Sequence, residues 1–226
     1  ASAGVEAAAA TAGPARPPAL AGTWYPSSPA LLLATARNLM RQAAGAPMPF
    51  GRPVALVVPH AGWAFSGAVA ATAYRLLPPG SFTRVVVLAP SHHGAFSGYA
   101  LDDASAYRTP LGEIPLDRAA VEGLKAPNLA RVVAGVTGPE HAVEIELPFL
   151  QVALGRFSLV PVLVGRVDAS DEGAFAERLA KLDDGKTLFV FSSDFTHYGP
   201  RFDYAPFGPT AGARAAIRSL DATAID

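Results

Sequence analysis

The chain has 226 residues, of which 50% are hydrophobic and only 16% are charged. It carries 18 Lys and Arg against 19 Asp and Glu, a net charge of −1, and it has no cysteine. A chain this long and apolar can bury a core without disulfide bonds, so we expect a compact globule. The charge balance argues against nucleic acid or an anionic membrane surface as a partner. The absence of cysteine excludes disulfide frameworks, all-Cys zinc sites, iron–sulfur clusters and thiol nucleophiles.

The N-terminal segment is rich in Ala and Pro, and no basic residue precedes Arg16. It therefore lacks the basic start of a signal peptide. No apolar run approaches the roughly 20 residues that cross a bilayer. We expect a soluble, cytoplasmic protein with a flexible tail over residues 1–21 and one domain over residues 22–226.

Beyond the tail, short apolar runs alternate with longer stretches of helical periodicity. Buried strands are predicted at 54–58, 85–88, 159–164 and 187–191. Helices are predicted at 30–44, 66–77, 116–124, 141–154, 171–182 and 210–220. Strands that are apolar throughout and separated by helices are typical of an α/β domain with a mixed, mainly parallel sheet flanked by helices.

Four of the five histidines follow predicted strands. His60 comes after the first strand, His92 and His93 come after the second, and His197 comes after the last. Loops at the carboxyl ends of parallel strands converge, so these side chains are predicted to share one site. A single histidine at a strand end is more often structural, but three such places favour a common function. Imidazole binds zinc, iron, copper and nickel.

The acidic residues leave alternatives open. Metal-bound imidazoles are oriented by neighbouring carboxylates, a role open to Asp194, Glu140 or Glu144. Glu140 and Glu144 also fit an acidic first helical turn that favours the helix dipole, or a surface facing the substrate. Trp24 is either a packing anchor or a ligand contact.

Six motifs in chain order carry a family resemblance. They are GTWYP at 22–26, PHAGWAFSG at 59–67, PSHH at 90–93, YRTPLG at 107–112, EHAVE at 140–144 followed by LPFL at 147–150, and SSDFTHYG at 192–199. On these motifs the chain resembles the Memo family, whose bacterial and archaeal members are called AmmeMemoRadiSam system protein B. The resemblance runs from about residue 21 to the C-terminus.

The resemblance implies a fold like that of the class III, LigB-type extradiol dioxygenases, which hold a non-haem metal. By matching motifs, His60 and His92 would be metal ligands, and a cysteine late in the family pattern would be the third. Asp194 and His197 would line the same pocket, whereas His141 belongs to a motif whose role is less clear. Trp24 matches a residue implicated in phosphopeptide binding by the animal members.

The sequence departs from this pattern because it has no cysteine and stops at residue 226. Either it is a fragment, which we favour, or it is a degenerate member with an incomplete site. Two imidazoles alone would hold a metal weakly.

Three functions follow as hypotheses. The first is a redox enzyme with non-haem iron or copper at His60 and His92, in which Asp194 orients His197 as the general acid or base. In that hypothesis His93 or His141 polarises a small-molecule substrate.

The second hypothesis is a binding module for a peptide, or for partners such as AMMECR1-like and radical SAM proteins, with Trp24 at the mouth of the pocket. The third is a zinc hydrolase that activates water with Glu144. It ranks last because no hydrolase motif supports it.

Overall fold

The computed structural model describes residues 13–43 and 51–225, and six strands in them form one mixed sheet. In chain order the strands are β1 (Ala55–Val58), β2 (Arg84–Pro90), β3 (Tyr99–Leu101), the hairpin strands β4 (Ala106–Thr109) and β5 (Gly112–Pro115), β6 (Ala130–Val132), β7 (Ser158–Val164) and β8 (Thr187–Ser192). The sheet order is β1-β8-β2-β7-β3-β6, and β4 and β5 form a separate two-stranded sheet. The first four strands in that order are parallel, and β3 runs antiparallel to β7. This confirms the predicted α/β class with a mixed, mainly parallel sheet.

Besides a 3-10 helix at Pro200–Phe202, the described part of the chain has seven α-helices. They are α1 (Pro29–Gln42), α2 (Trp63–Tyr74), α3 (Arg118–Leu124), α4 (His141–Glu144), α5 (Leu147–Leu154), α6 (Ala169–Ala180) and α7 (Ala213–Ala222). The first predicted helix extends to position 44, which lies outside the described residues.

The two faces of the sheet bury separate cores. Val85 and Val87 of β2 join the core beneath α1, α2 and α5, whereas Val86 and Leu88 join the core beneath α3 and α6. Side chains alternate between faces along a strand, so a continuously apolar run such as β2 is buried on both sides.

The predicted helix over 141–154 is two helices, α4 and α5, separated by Ile145 and Glu146. Pro148 lies in the first turn of α5, where its missing N–H costs nothing, but it cannot continue the preceding helix. Strands β3 to β6 were not predicted, because they have three or four residues and, unlike the apolar run at 54–58 that contains β1, no apolar run of five residues.

The N-terminal segment differs from the predicted tail. Residues 1–12 lie outside the described residues, but residues 13–21 lie against the domain. The N–H of Gly13 donates to the carbonyl of Asp103 at 2.8 Å, and the N–H of Arg16 donates to Ala106 at 2.8 Å. Arg16 is only 6% exposed. Residues 13–21 therefore pack as part of the domain. Their partners lie far along the chain, so local composition could not predict these contacts.

Within residues 13–43 and 51–225, no helix combines the length and the apolar character that a membrane crossing requires.

Candidate metal centre

Three histidine rings meet at the carboxyl edge of the sheet. One ring nitrogen each from His60, His92 and His141 lies within 4.8 Å of the other two. The ring centroids are 5.3 Å apart for His60 and His92, 5.7 Å for His60 and His141, and 4.3 Å for His92 and His141. This spacing suits one first-row metal ion bound by three imidazoles.

The sheet and one short helix place these rings. Strands β1 and β2 lie on either side of β8 and run parallel to it, so their carboxyl ends open at the same edge. His60 follows β1 and His92 follows β2. His141 is the first residue of α4, which Glu140 caps by accepting hydrogen bonds from the N–H groups of His141 and Ala142.

Each of the first two histidines has a polar partner on Nδ1. The Nδ1 of His60 lies 2.9 Å from Ser192 Oγ, and the Nδ1 of His92 lies 3.0 Å from Glu140 Oε1. The N–H of His60 also donates to Asp194 Oδ1 at 2.7 Å. With Nδ1 occupied, Nε2 is the nitrogen that His60 and His92 can offer to a cation.

The electrostatics favour neutral imidazoles beside an anionic carboxylate. Burial lowers the pKa of His141 to about 4, against the opposing charge of Glu140. Burial also lowers the pKa of His60, although Asp194 opposes the shift. Burial alone would raise the pKa of Glu140, but hydrogen bonds from the N–H groups of His92 and Ala142 lower it below its usual value. At neutral pH His60 and His141 therefore present free lone pairs rather than positive charge.

The three rings face a cavity of about 670 Å³. Its lining also includes Trp24, Asp194 and His197, together with the exposed aromatic side chains of Phe65 and Phe202. A larger cavity of about 900 Å³ lies between α1 and the β4–β5 hairpin, but no histidine lines it. The histidines that could bind a metal therefore line the smaller cavity.

Asp194 and His197 sit side by side at this cavity. The Nε2 of His197 is 3.6 Å from Asp194 Oδ2, too far for a direct hydrogen bond, and its Nδ1 is 3.2 Å from the carbonyl oxygen of Phe195. The His197 side chain is 52% exposed, so it is open to solvent.

His93 and Trp24 occupy the edges of the site. The exposed His93 ring lies 6.1 Å from the His141 ring and is not among the cavity-lining residues. It forms a second possible metal-binding group with Glu140 and His141. Trp24 is 37% exposed, and its ring lies 4.7 Å from the His141 ring.

Glu144 does not reach the cavity, so the predicted substrate-facing role is corrected. Its side chain is fully buried, and it pairs with Arg16 Nη1 at 2.9 Å. Its carboxylate accepts hydrogen bonds from the N–H groups of Ala19 and Leu20 and from the hydroxyl of Tyr25. Glu144 therefore anchors the N-terminal segment. The carboxylate that contacts the histidines from this motif is Glu140.

Sequence reasoning missed Ser192 and Glu146. Ser192 ends β8, and its Oγ contacts the Nδ1 of His60. The same Oγ lies 3.0 Å from Glu146 Oε1. The signal for Glu146 was a charged residue between the apolar Ile145 and Leu147 in a predicted helix, because a buried charge needs a polar partner.

The fold and the histidine cluster define an α/β protein with a candidate metal centre at the carboxyl edge of its sheet. Comparison with protein families gives a specific assignment. The family model described as Memo-like protein matches residues 16–226. The chain belongs to this family, as the six motifs indicated.

Curated relatives agree with that assignment. The chain is 37% identical to Protein MEMO1 of Danio rerio over 198 residues, which are 85% of this chain and 66% of the relative. It is 36% identical to the Protein memo-1 homolog of Caenorhabditis elegans over 191 residues, 83% of this chain and 54% of the relative. It is 35% identical to Protein MEMO1 of Homo sapiens over 198 residues, with 85% and 66% covered. The chain thus spans slightly more than half to about two thirds of these relatives.

Proposed function

We propose that the chain binds iron or copper at His60, His92 and His141 and acts as a metal-dependent oxidoreductase on oxygen or a small organic substrate. The observation that carries the proposal is the convergence of three imidazole nitrogens within 4.8 Å at the wall of an open cavity. Imidazole donors suit these metals. The family resemblance supports a non-haem site, with His141 offering a third ligand from within this sequence.

The residues present fit such an ion. Burial lowers the pKa of His60 and His141, so their lone pairs are available at neutral pH. Glu140 and Asp194 place carboxylate groups beside the cluster without entering it. Bound there, iron or copper would supply one-electron chemistry to a molecule in the cavity.

The protein's own groups would position and deprotonate the substrate. His197 presents its Nε2 beside Asp194 at the cavity, where the ring can take a proton from a substrate hydroxyl. The Asp194 carboxylate, 3.6 Å away, would stabilise the imidazolium that results. Trp24 and Phe65 line the cavity with apolar surface, which favours an organic substrate.

A zinc hydrolase is the weaker proposal. It needed Glu144 as the base that activates water, and Glu144 is fully buried and paired with Arg16.

The aromatic residues at the mouth of the cavity favour a second candidate function, a binding module for a peptide or a protein partner. Phe65 is 85% exposed, Phe202 is 52% exposed and Trp24 is 37% exposed. Aromatic residues, including Phe, are enriched in the cores of protein interfaces, and Trp is enriched at binding hot spots. AMMECR1-like and radical SAM proteins remain proposed partners.

Anaerobic titration with Fe(II) and copper, together with elemental analysis of protein prepared without a His tag, tests the metal site. We expect H60A, H92A and H141A each to weaken binding more than the roughly 10- to 100-fold that an outer-shell change costs. H197A is the matched cavity variant and should bind metal normally while losing turnover.

H93A decides between the two possible metal-binding groups. If H93A weakens binding more than H60A, the site is the group of His93, Glu140 and His141 instead. Absence of any binding that depends on His60 would overturn the proposal. Zinc as the tightly held metal would overturn the redox assignment.

A further inference from the structure

Four buried polar side chains form a line that ends at the candidate metal centre. Tyr74, Glu146, Ser192 and His60 are 0%, 1%, 3% and 4% exposed. The Tyr74 hydroxyl lies 2.8 Å from Glu146 Oε2, and Ser192 Oγ lies 3.0 Å from Glu146 Oε1. The His60 Nδ1 lies 2.9 Å from the same Ser192 Oγ.

Ser192 has one more partner, which competes with Glu146 for the single hydroxyl proton of Ser192. Its Oγ lies 2.7 Å from the carbonyl oxygen of Ala142, which can only accept a hydrogen bond. A hydroxyl has one proton and two lone pairs. If the Ser192 proton goes to Ala142, the contacts to Glu146 and His60 are satisfied only when both of those groups donate.

We propose that Glu146 is held as a neutral carboxylic acid that donates to Ser192, and that Glu146 and Ser192 together fix His60 as the Nδ1–H tautomer with Nε2 free for a cation. Glu146 is thus a positioning residue, since Ser192 stands between it and the ring.

The surroundings of Glu146 support a neutral acid. The groups on its two oxygens are the hydroxyls of Tyr74 and Ser192, not cations. Burial raises the pKa of Glu146 to about 8, although the hydrogen bonds with Tyr74 and Ser192 oppose the shift, and the charge of Asp194 adds to it. Glu144, two residues earlier, is the contrasting case: it is equally buried but has Arg16 at 2.9 Å.

The ring orientation follows from this arrangement. A ligating histidine needs its second nitrogen to donate to a fixed acceptor, and Ser192 is that acceptor. An ionised Glu146 would take the Ser192 proton away from Ala142, leaving a buried carbonyl oxygen without that partner.

NMR of the metal-free protein with ¹⁵N-labelled histidine tests the tautomer directly. We expect His60 in the wild type to be protonated at Nδ1. S192A should remove that preference, and S193A, which changes the exposed neighbouring serine, should keep it. An Nε2–H tautomer of His60 in the wild type would overturn the proposal.

E146Q tests the neutral acid, because a Gln amide can donate to Ser192 and accept from Tyr74 as a protonated Glu does. We expect the wild-type tautomer in E146Q, together with loss of one protonated-acid C=O band from the infrared spectrum at pH 6. A wild type without that band, or an E146Q spectrum that resembles S192A, would contradict the proposal. Circular dichroism checks that each variant is folded.

Metal affinity gives a second readout that rests on the proposed function. We expect S192A to weaken binding roughly 10- to 100-fold and E146Q to change it less than about threefold. If the wild type binds no metal, the proposed function fails while the tautomer measurement still decides this inference.

Discussion

The indole of Trp24 lies against the imidazole of His141, with ring centroids 4.7 Å apart and planes tilted by 59°. Trp24 lies in the segment ahead of α1 (residues 13–28), and His141 begins the helix whose Glu144 anchors that segment through Arg16 and Tyr25. One short helix therefore supplies a candidate ligand, and its Glu144 anchors the segment that carries the aromatic residue beside that ligand.

This contact makes Trp24 a reporter of metal binding. We expect copper to quench the tryptophan fluorescence, with most of the quenching lost in W24F because the indole is next to His141. The fluorescence titration is repeated with W63F, which changes the other tryptophan, 7% exposed and buried in the core. Quenching that disappears in W63F but not in W24F would place the metal elsewhere.

Glu140 should control metal affinity without being a ligand. Its carboxylate accepts hydrogen bonds from the N–H of His92 at 2.6 Å and contacts the His92 Nδ1 at 3.0 Å. E140Q keeps the shape but removes the charge and one acceptor, so we expect roughly 10- to 100-fold weaker binding by calorimetry. E113Q, on the exposed hairpin, is the control. Equal affinities for the two variants would contradict the orienting role.

The buried ion pair between Arg16 and Glu144 should matter for stability. R16M leaves the buried Glu144 carboxylate without its cation, and we expect urea unfolding to show a loss of about 3–5 kcal/mol. The matched change is R108M, which removes a pair with Glu113 whose side chains are both 54% exposed. That variant should lose less than about 1 kcal/mol. Similar losses in both variants would show that residues 13–21 do not need this anchor.

Gly98 tests the path of the chain into β3. Its φ is +79°, and an added Cβ would clash with the backbone carbonyl oxygen of Leu129. Gly80 also has a positive φ, of +67°, but nothing lies within 4 Å of its Cβ position. By thermal unfolding we expect G80A to cost about 1–2 kcal/mol for conformation alone and G98A to cost at least about 2 kcal/mol more. Equal costs would mean that the close approach is absent.

Glu146 should make stability fall as the pH rises. Burial raises its pKa in the folded protein to about 8 from an ordinary value of 4.5, so between these values the folded state keeps a proton that the unfolded state has lost. Folding then takes up a proton at Glu146, so the contribution of this residue to the free energy of unfolding decreases from about pH 5 to pH 8.

Urea unfolding of wild type and E146Q across that range measures the effect. Each pKa unit corresponds to about 1.4 kcal/mol, so the stability of the wild type relative to E146Q should fall by a few kcal/mol. A constant difference between the two proteins would show that Glu146 ionises normally.

The sequence by itself determined β1, β2, β7 and β8, most of the helices and the family, because continuous apolar runs, helical periods and motifs are local properties of the chain. It also placed His60 and His92 at strand ends, and parallel strands bring such ends to one edge of a sheet.

Only the tertiary structure decided which groups complete the site. His141 joins the cluster because α4 lies beside the end of β2. Glu140 contacts the histidines and Glu144 does not, because their partners are different residues far along the chain. Glu140 pairs with His92, 48 residues away, and Glu144 pairs with Arg16, 128 residues away. The packing of residues 13–21 against the domain also depends on partners far along the chain. Burial and hydrogen bonding between distant segments set these roles, and neither leaves a periodic signal in the sequence.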